Sequence, residues 1–211
     1  MKKLKKFWNF LKEDSWLSFF ISLIILVFII KFIFFPTLSF ITKSPLPLVV
    51  IESWSLYHES SFDSWWEKNG VWYFDRDIEK EEFLDFPFRN GLNKGDIIFV
   101  WGRDNYDIGE IIIFQPNIGS MAPHPIIHRI VSENPFGTKG DHNQGQLVSG
   151  RVNNLENIDE TNIPQERILG KAAFRVPYLG WVKLIFFEIW KETKNITGIE
   201  DRRSGDSWFC Y

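Results

Sequence analysis

The sequence predicts a mostly β architecture: an N-terminal transmembrane helix followed by an antiparallel β domain, with an aromatic-rich insertion and a short C-terminal amphipathic helix. Three observations predict it. From Trp16 to Ile41 the chain is apolar except for Lys31, Pro36 and a few small hydroxyl residues. Beyond residue 48, short β-branched and aromatic runs alternate with Gly, Asn and Asp clusters, the punctuation of antiparallel strands. Ten Trp and 21 Phe in 211 residues suit strands and membrane interfaces better than a helical bundle.

Residues 1–14 form a basic segment with Lys2, Lys3, Lys5, Lys6 and Lys12 against Glu13 and Asp14. The apolar run follows as residues 15–41. At about 1.5 Å per residue, some 20 residues cross a hydrocarbon core of roughly 30 Å. Lys31 can snorkel to the headgroups, and Pro36 is a candidate end for the helix. The run is too long for a cleaved signal peptide, and no small-x-small site follows it. It reads as an uncleaved signal anchor. The lysine excess before it predicts a cytoplasmic N-terminus and an extracytoplasmic domain, single-pass.

The rest of the chain is acidic, with 19 basic and 25 acidic side chains. An acidic domain argues against nucleic acid as a partner, since phosphate binding needs a basic face. Cys210 is the single cysteine, so no intrachain disulfide can form.

Residues 42–48 read as a proline-stiffened linker opening a β domain over 42–180. Strand-like runs begin at Val49-Val50-Ile51. They continue at Gly95–Trp101 and Gly109–Phe114, joined by a polar turn, then at Pro125–Val131, Gln146–Val152 and Gly170–Pro177. Residues 61–92, within an insertion of about 59–93, mix aromatics with acids and predict a short helix. Trp65, Trp66, Trp72 and Trp101 read either as membrane-interface side chains or as core. Residues 181–211 form an amphipathic segment, Trp181–Lys191, and a polar tail. The tripeptide Asn195-Ile196-Thr197 matches a glycosylation sequon that is too common by chance to carry weight.

Chemistry concentrates in three places. Ser53 and Ser55 alternate in E-S-W-S-L, which predicts that they share one strand face. His128 lies inside the apolar strand I-I-H-R-I-V, with Ile126 and Ile130 on its face and Ile127, Arg129 and Val131 opposite. Such a histidine is either a core side chain satisfied by backbone or a functional base. Asp141 lies in the turn T-K-G-D-H-N, either solvated or directed inward. A serine, a histidine and an aspartate together supply the nucleophile, base and orienting carboxylate of acyl transfer. His124, His128, Asp141 and His142 offer a rival metal set, but Pro125 disfavours a helical pair and there is no H-E-x-x-H. No glycine-rich phosphate loop is present, and no cofactor or metal is predicted.

With this order of features the chain resembles type I signal peptidases, especially the archaeal and endoplasmic-reticulum type. An anchor is followed by E-S-W-S-L, G-D-I-I-F, I-G-E-I-I-I-F, I-I-H-R-I-V and T-K-G-D-H-N. The ending G-K-A-A-F-R-V-P-Y-L-G-W-V resembles the family's closing strand. The likeness runs from about residue 16 to 190. Trp54 stands where the family has glycine and Leu56 where it has methionine. Gln146 and Leu147 occupy the places of a second aspartate in archaeal-type members.

The resemblance implies a membrane-bound serine endopeptidase that removes signal peptides from exported preproteins. Ser55 matches the nucleophile, His128 the general base and Asp141 the aspartate of the family's G-D-N-N stretch. Ser53 matches a serine that helps bind the oxyanion. Val49, Val50 and Ile51 would pair with substrate as an extended strand. The implied partners are the preprotein and the lipid bilayer, with further subunits undetermined. Two alternatives stay open: a membrane-anchored binding domain of the same fold that has lost hydrolysis, and a metal-dependent hydrolase.

Overall fold

The computed structural model describes residues 2–103 and 105–185. The chain divides into two compact units between Lys43 and Ser44. In the first, α1 (Lys2–Leu11) precedes a continuous apolar helix of 27 residues, Trp16–Thr42. Its side chains face outward almost throughout, as lipid contact requires and a protein core does not. The helix does not stop at Pro36. It runs as α2 (Trp16–Ile29), widens into a π-helical turn over Ile30–Phe34, and resumes as α3 (Phe35–Thr42). Proline lacks the N–H of an ordinary helical bond, and the wider turn just before it absorbs the mismatch.

The second unit is built on one antiparallel sheet of six strands. These are β1 (Leu48–Val50), β2 (Ile97–Trp101), β3 (Ile111–Phe114), β4 (Ile126–Glu133), β5 (Phe136–Lys139) and β6 (Ile168–Val176). Their spatial order is β1-β2-β6-β3-β4-β5, so β1 lies at an edge. β2 and β3 are joined through a polar turn yet do not pair. The nine-residue β6 inserts between them, pairing Ile98 with Arg175 on one side and Ile112 with Lys171 on the other.

Every residue of β3 is buried, and so are positions 128–131 of β4. Both faces of this sheet centre are therefore covered, which explains the unbroken isoleucine runs. On one face Ile112, Phe114, Ile126 and Ile130 pack with Ile158 and Ile163. On the other, Ile51, Leu56, Leu92, Ile98 and Ile111 form a second core.

The insertion folds into two helices, α4 (Phe62–Phe74) and α5 (Lys80–Asp85). Trp65, Tyr73, Ile78 and Phe83 bury themselves against Val131 of β4, so Trp65 is a core residue. Trp101, 39% exposed, remains at the surface.

Residues 146–152 do not form the expected strand. They run as turns whose backbone is satisfied locally: Asn154 Nδ2 donates to the Val148 carbonyl (2.9 Å), and Arg151 N–H also reaches it. Near the end, residues 181–185 are helical and bury Leu184. Gly95, at φ +89°, admits the Trp181 ring where a Cβ would lie 2.3 Å from it. The remainder of the expected amphipathic segment and tail lies outside the described residues.

Candidate active site

The sheet edge delivers the two serines to a turn. Beyond β1, Ile51 N–H donates to the Asp96 carbonyl (2.9 Å) and Gly95 N–H to the Ile51 carbonyl (2.8 Å), after which the chain leaves the sheet. Ser53 and Ser55 therefore do not share a strand face. Ser53 precedes and Ser55 lies within a turn closed by Tyr57 N–H on the Trp54 carbonyl (2.9 Å), and their hydroxyls meet at 3.0 Å. Trp54 points outward, 40% exposed, with Tyr57 edge-on at 5.0 Å. Its φ is not positive, so the site does not use the backbone freedom of a glycine there. Leu56, 1% exposed, plugs the second core.

His142 N–H donates to the Ser55 carbonyl (2.8 Å), tying this turn to the T-K-G-D-H-N turn after β5. Gly140 lies between them. A Cβ on Gly140 would stand 2.8 Å from the Ser55 carbonyl oxygen, 2.8 Å from Asn143 Nδ2 and 2.9 Å from His128 Nε2. The Ser55 main chain and the imidazole of His128 thus both lie against Gly140, in a space kept open by a missing side chain.

His128 is 5% exposed and sits opposite Ile112 in the β3–β4 ladder. Its Nδ1 is hydrogen-bonded to Glu160 Oε1, and an ionised carboxylate there makes Nδ1 the protonated nitrogen. Nε2, the nitrogen facing Gly140, is then the proton acceptor. Glu160 is fully buried. Thr138 Oγ1 also donates to its Oε1 (3.1 Å), and Leu147 N–H donates to Oε2 (2.7 Å).

Asp141 is fully buried but has other partners. Its carboxylate accepts from Arg129 Nε (2.9 Å) and Nη2 (2.8 Å), His58 Nε2 (3.1 Å) and the Tyr73 hydroxyl (3.1 Å). Among the described residues none of these partners is His128. Burial pushes the Asp141 carboxyl up, but Arg129 and His58 outweigh it and hold the group well below the usual carboxylate range. His58 stacks flat on Trp65 at 3.8 Å. Lys139, 1% exposed, donates to the Gly140 carbonyl (3.0 Å) beside the Trp72 and Tyr73 rings. Burial pushes its ammonium down to about 8, against the pull of Asp141 and Glu160.

The four histidines occupy four separate settings. His124 Nε2 lies 4.0 Å from Glu52 and His142 Nε2 lies 3.9 Å from Glu59, both near the surface. Among the described residues no three His, Cys, Asp or Glu side chains gather as a metal site. Of the expected strand Val49–Ile51, Val49 and Val50 lie in the edge strand, while Ile51 is buried and its N–H and carbonyl are taken by Asp96 and Gly95, just before β2.

No protein-family model matches the chain. It is 28% identical over 109 residues to signal peptidase complex catalytic subunit SEC11 of Komagataella phaffii, covering 46% of the chain and 60% of that protein. It is 25% identical over 169 residues to the same subunit of Candida tropicalis, covering 77% and 78% respectively. The resemblance to type I signal peptidases is shown by these relatives. A third, from Verticillium alfalfae, is 26% identical over 169 residues, 74% of the chain and 73% of the relative. The signal peptidase likeness thus extends over about three quarters of the chain in the longer matches, although the first match spans only 60% of its relative's length.

The reading of the sequence missed Glu160, Arg129, His58 and Tyr73. One signal for Glu160 was present: the absence of an acid at Gln146 and Leu147 required a carboxylate from elsewhere.

Proposed function

We propose that the chain is a membrane-anchored serine endopeptidase that removes signal peptides from exported preproteins. The observation that carries this reading is that the Ser55 carbonyl and His128 Nε2 both border Gly140, which sets the Ser55 residue beside the imidazole, in a chain similar to signal peptidase catalytic subunits. His128 Nε2 takes the proton of Ser55 Oγ as the oxygen attacks the scissile carbonyl. For this step the Ser55 hydroxyl gives up its hydrogen bond with Ser53 Oγ and turns to the imidazole. Ser53 Oγ and the Ser55 N–H stabilise the tetrahedral oxyanion. His128 returns the proton to the leaving amine, and water, activated by the same nitrogen, releases the acyl group.

An extended substrate segment adds to the free edge of β1 at Val49 and Val50, while Ile51 anchors that strand in the core. The helix Trp16–Thr42 spans the bilayer with the lysine-rich end in the cytoplasm and the sheet on the far side. Since the relatives bear the name of a complex subunit, further subunits belong to the proposal.

The test is cleavage of a signal-bearing preprotein by the purified full chain in lipid vesicles, with Ser55→Ala and His128→Ala alongside. Cleavage at the signal junction by wild type, abolished in both variants, supports the reading. A folded wild type that leaves the preprotein intact points to the non-hydrolytic binding domain or a missing subunit. Cleavage that survives Ser55→Ala removes the serine mechanism.

A further inference from the structure

Among the described residues, Asp141 and Glu160 are fully buried carboxylates in this region, and of the two only Glu160 is hydrogen-bonded to the imidazole. We infer that Glu160, contributed by the loop before β6, is the residue that orients and charge-balances His128, and that Asp141 serves as a buried scaffold. The inference rests on the serine–histidine reading above and assigns the acid of that site to a position outside T-K-G-D-H-N.

Charge separates the two acids. Asp141 is already neutralised by a two-point contact with Arg129, so it has little attraction left for a cation forming elsewhere. Glu160 is hydrogen-bonded to His128 Nδ1, and the two form an ion pair only once the imidazole is protonated. When His128 accepts the Ser55 proton, an imidazolium forms beside that carboxylate and the pair becomes neutral. Lys139 lies in the same region, but its Nζ bonds the carbonyls of Gly140 and Asp141 rather than the Glu160 carboxylate.

Geometry fixes Glu160 as firmly as any residue of the site. Its own N–H donates to the Leu147 carbonyl (2.9 Å), and its carbonyl accepts from Thr138 N–H (2.9 Å) and Gln146 Nε2 (3.2 Å). Gln146 and Leu147, the residues standing where a second aspartate would be, therefore hold Glu160 by main chain and side chain. They secure the acid in place of supplying it.

The hydrogen bonds also dictate what an amide would do. In Glu160→Gln the Leu147 N–H requires the amide oxygen, which turns the amide nitrogen toward His128. Nδ1 must then accept, the proton moves to Nε2, and the base is in the wrong tautomer. Glu160 is a positioning residue, since it acts through His128.

The experiment uses the full chain in lipid and a signal-bearing preprotein. Glu160→Gln is expected to lower kcat on the order of 10⁴-fold with KM nearly unchanged, as loss of the orienting carboxylate does in serine triads. Glu160→Asp is expected to restore much of that loss. Asp141→Asn, where it folds, is expected to keep kcat within about tenfold, since it leaves the tautomer of His128 alone. A second measurement needs no variant to turn over. In ¹⁵N-histidine-labelled wild type, the His128 resonances, assigned by their loss in His128→Ala, are expected to show a protonated Nδ1 and a bare Nε2. Wild-type kcat in Glu160→Gln while Ser55→Ala is dead overturns the assignment and leaves the protease standing. A bare Nδ1 in the wild type also overturns it. Cleavage surviving Ser55→Ala instead refutes the serine reading on which the assignment rests.

Discussion

Arg129 grips Asp141 at two points, Nε to Oδ1 at 2.9 Å and Nη2 to Oδ2 at 2.8 Å, with both side chains wholly out of solvent. The other guanidinium hydrogens reach the carbonyls of Pro87 (2.8 Å), Gly109 (2.7 Å) and Phe88 (3.0 Å). All five donors of the guanidinium are used. One side chain on β4 thereby ties the insertion, the approach to β3 and the turn after β5 into a single body. Because His128 precedes Arg129, adjacent positions of β4 face opposite sides: one carries the base and the other the scaffold that fixes the turn beside it.

Asp141→Asn is expected to destabilise the second unit by roughly 3–5 kcal/mol, because a buried guanidinium is left without its countercharge. Chemical denaturation followed by tryptophan fluorescence measures it, with Trp65 buried beside the cluster. A loss under about 1 kcal/mol would place the strength of this region in its aromatic packing instead.

Stability is expected to rise with pH at both ends of the range, through a different group at each. The Asp141 carboxyl titrates lower in the folded chain than in the unfolded one, where it lies near about 3.9. Its contribution is therefore complete above that value and is lost as pH falls through the acid range. Lys139 titrates near 8 when folded and about 10.4 when unfolded. Between those values the unfolded chain holds the extra proton, so stability rises with pH across that window. Denaturation midpoints from pH 3 to 10 check both, with Lys139→Met expected to remove the alkaline rise.

Gly140→Ala tests the close approach of the Ser55 main chain and the His128 imidazole. The φ of Gly140 is not positive, so alanine suits the backbone and the obstacle is steric. The methyl group would meet the Ser55 carbonyl and His128 Nε2 inside 3 Å, forcing the two apart. A displacement near 1 Å is expected to reduce kcat by about 10²-fold. The fold should lose no more than about 1–3 kcal/mol, the usual range for a slightly overfilled site. Parallel preprotein kinetics and thermal melts separate the effects, and unchanged kcat would mean that Ser55 and His128 act from another arrangement.

The sequence carried much of the sheet because isoleucine-rich runs with turn residues between them leave few other structures. The alternation around His128 is a case in point: Ile126 and Ile130 do enter one core while Ile127 and Val131 pack in the others. Gln146–Val152 misled because its valines and leucine mimic a strand, whereas hydrogen bonds from Asn154 and to Glu160 bend it into turns. The serines misled in the same way, for alternation implies a shared face only while the strand lasts, and β1 ends at Val50. Glu160 lies 32 residues beyond His128, a pairing that spacing cannot reveal. The insertion's role was hidden too, since nothing local to Tyr73 indicates that its hydroxyl closes on Asp141.

Ser53 provides the remaining prediction, and its position beside a turn sharpens it. At rest its hydroxyl bonds Ser55 Oγ, so it can act either by holding the nucleophile's rotamer or by donating to the oxyanion. Ser53→Ala removes both actions and is expected to lower kcat by about 10²–10³-fold with KM little changed, the usual loss for one oxyanion donor. Ser53→Thr retains the hydroxyl beside that turn and is expected to recover most of the rate. The pair of roles separates with a substrate-like peptide aldehyde, which forms a tetrahedral adduct. If Ser53 donates to the oxyanion, Ser53→Ala weakens aldehyde binding as much as it lowers kcat/KM, because the adduct carries the charge of the transition state. If it only sets the Ser55 rotamer, the adduct, once formed, no longer needs it, and aldehyde affinity falls far less than the rate.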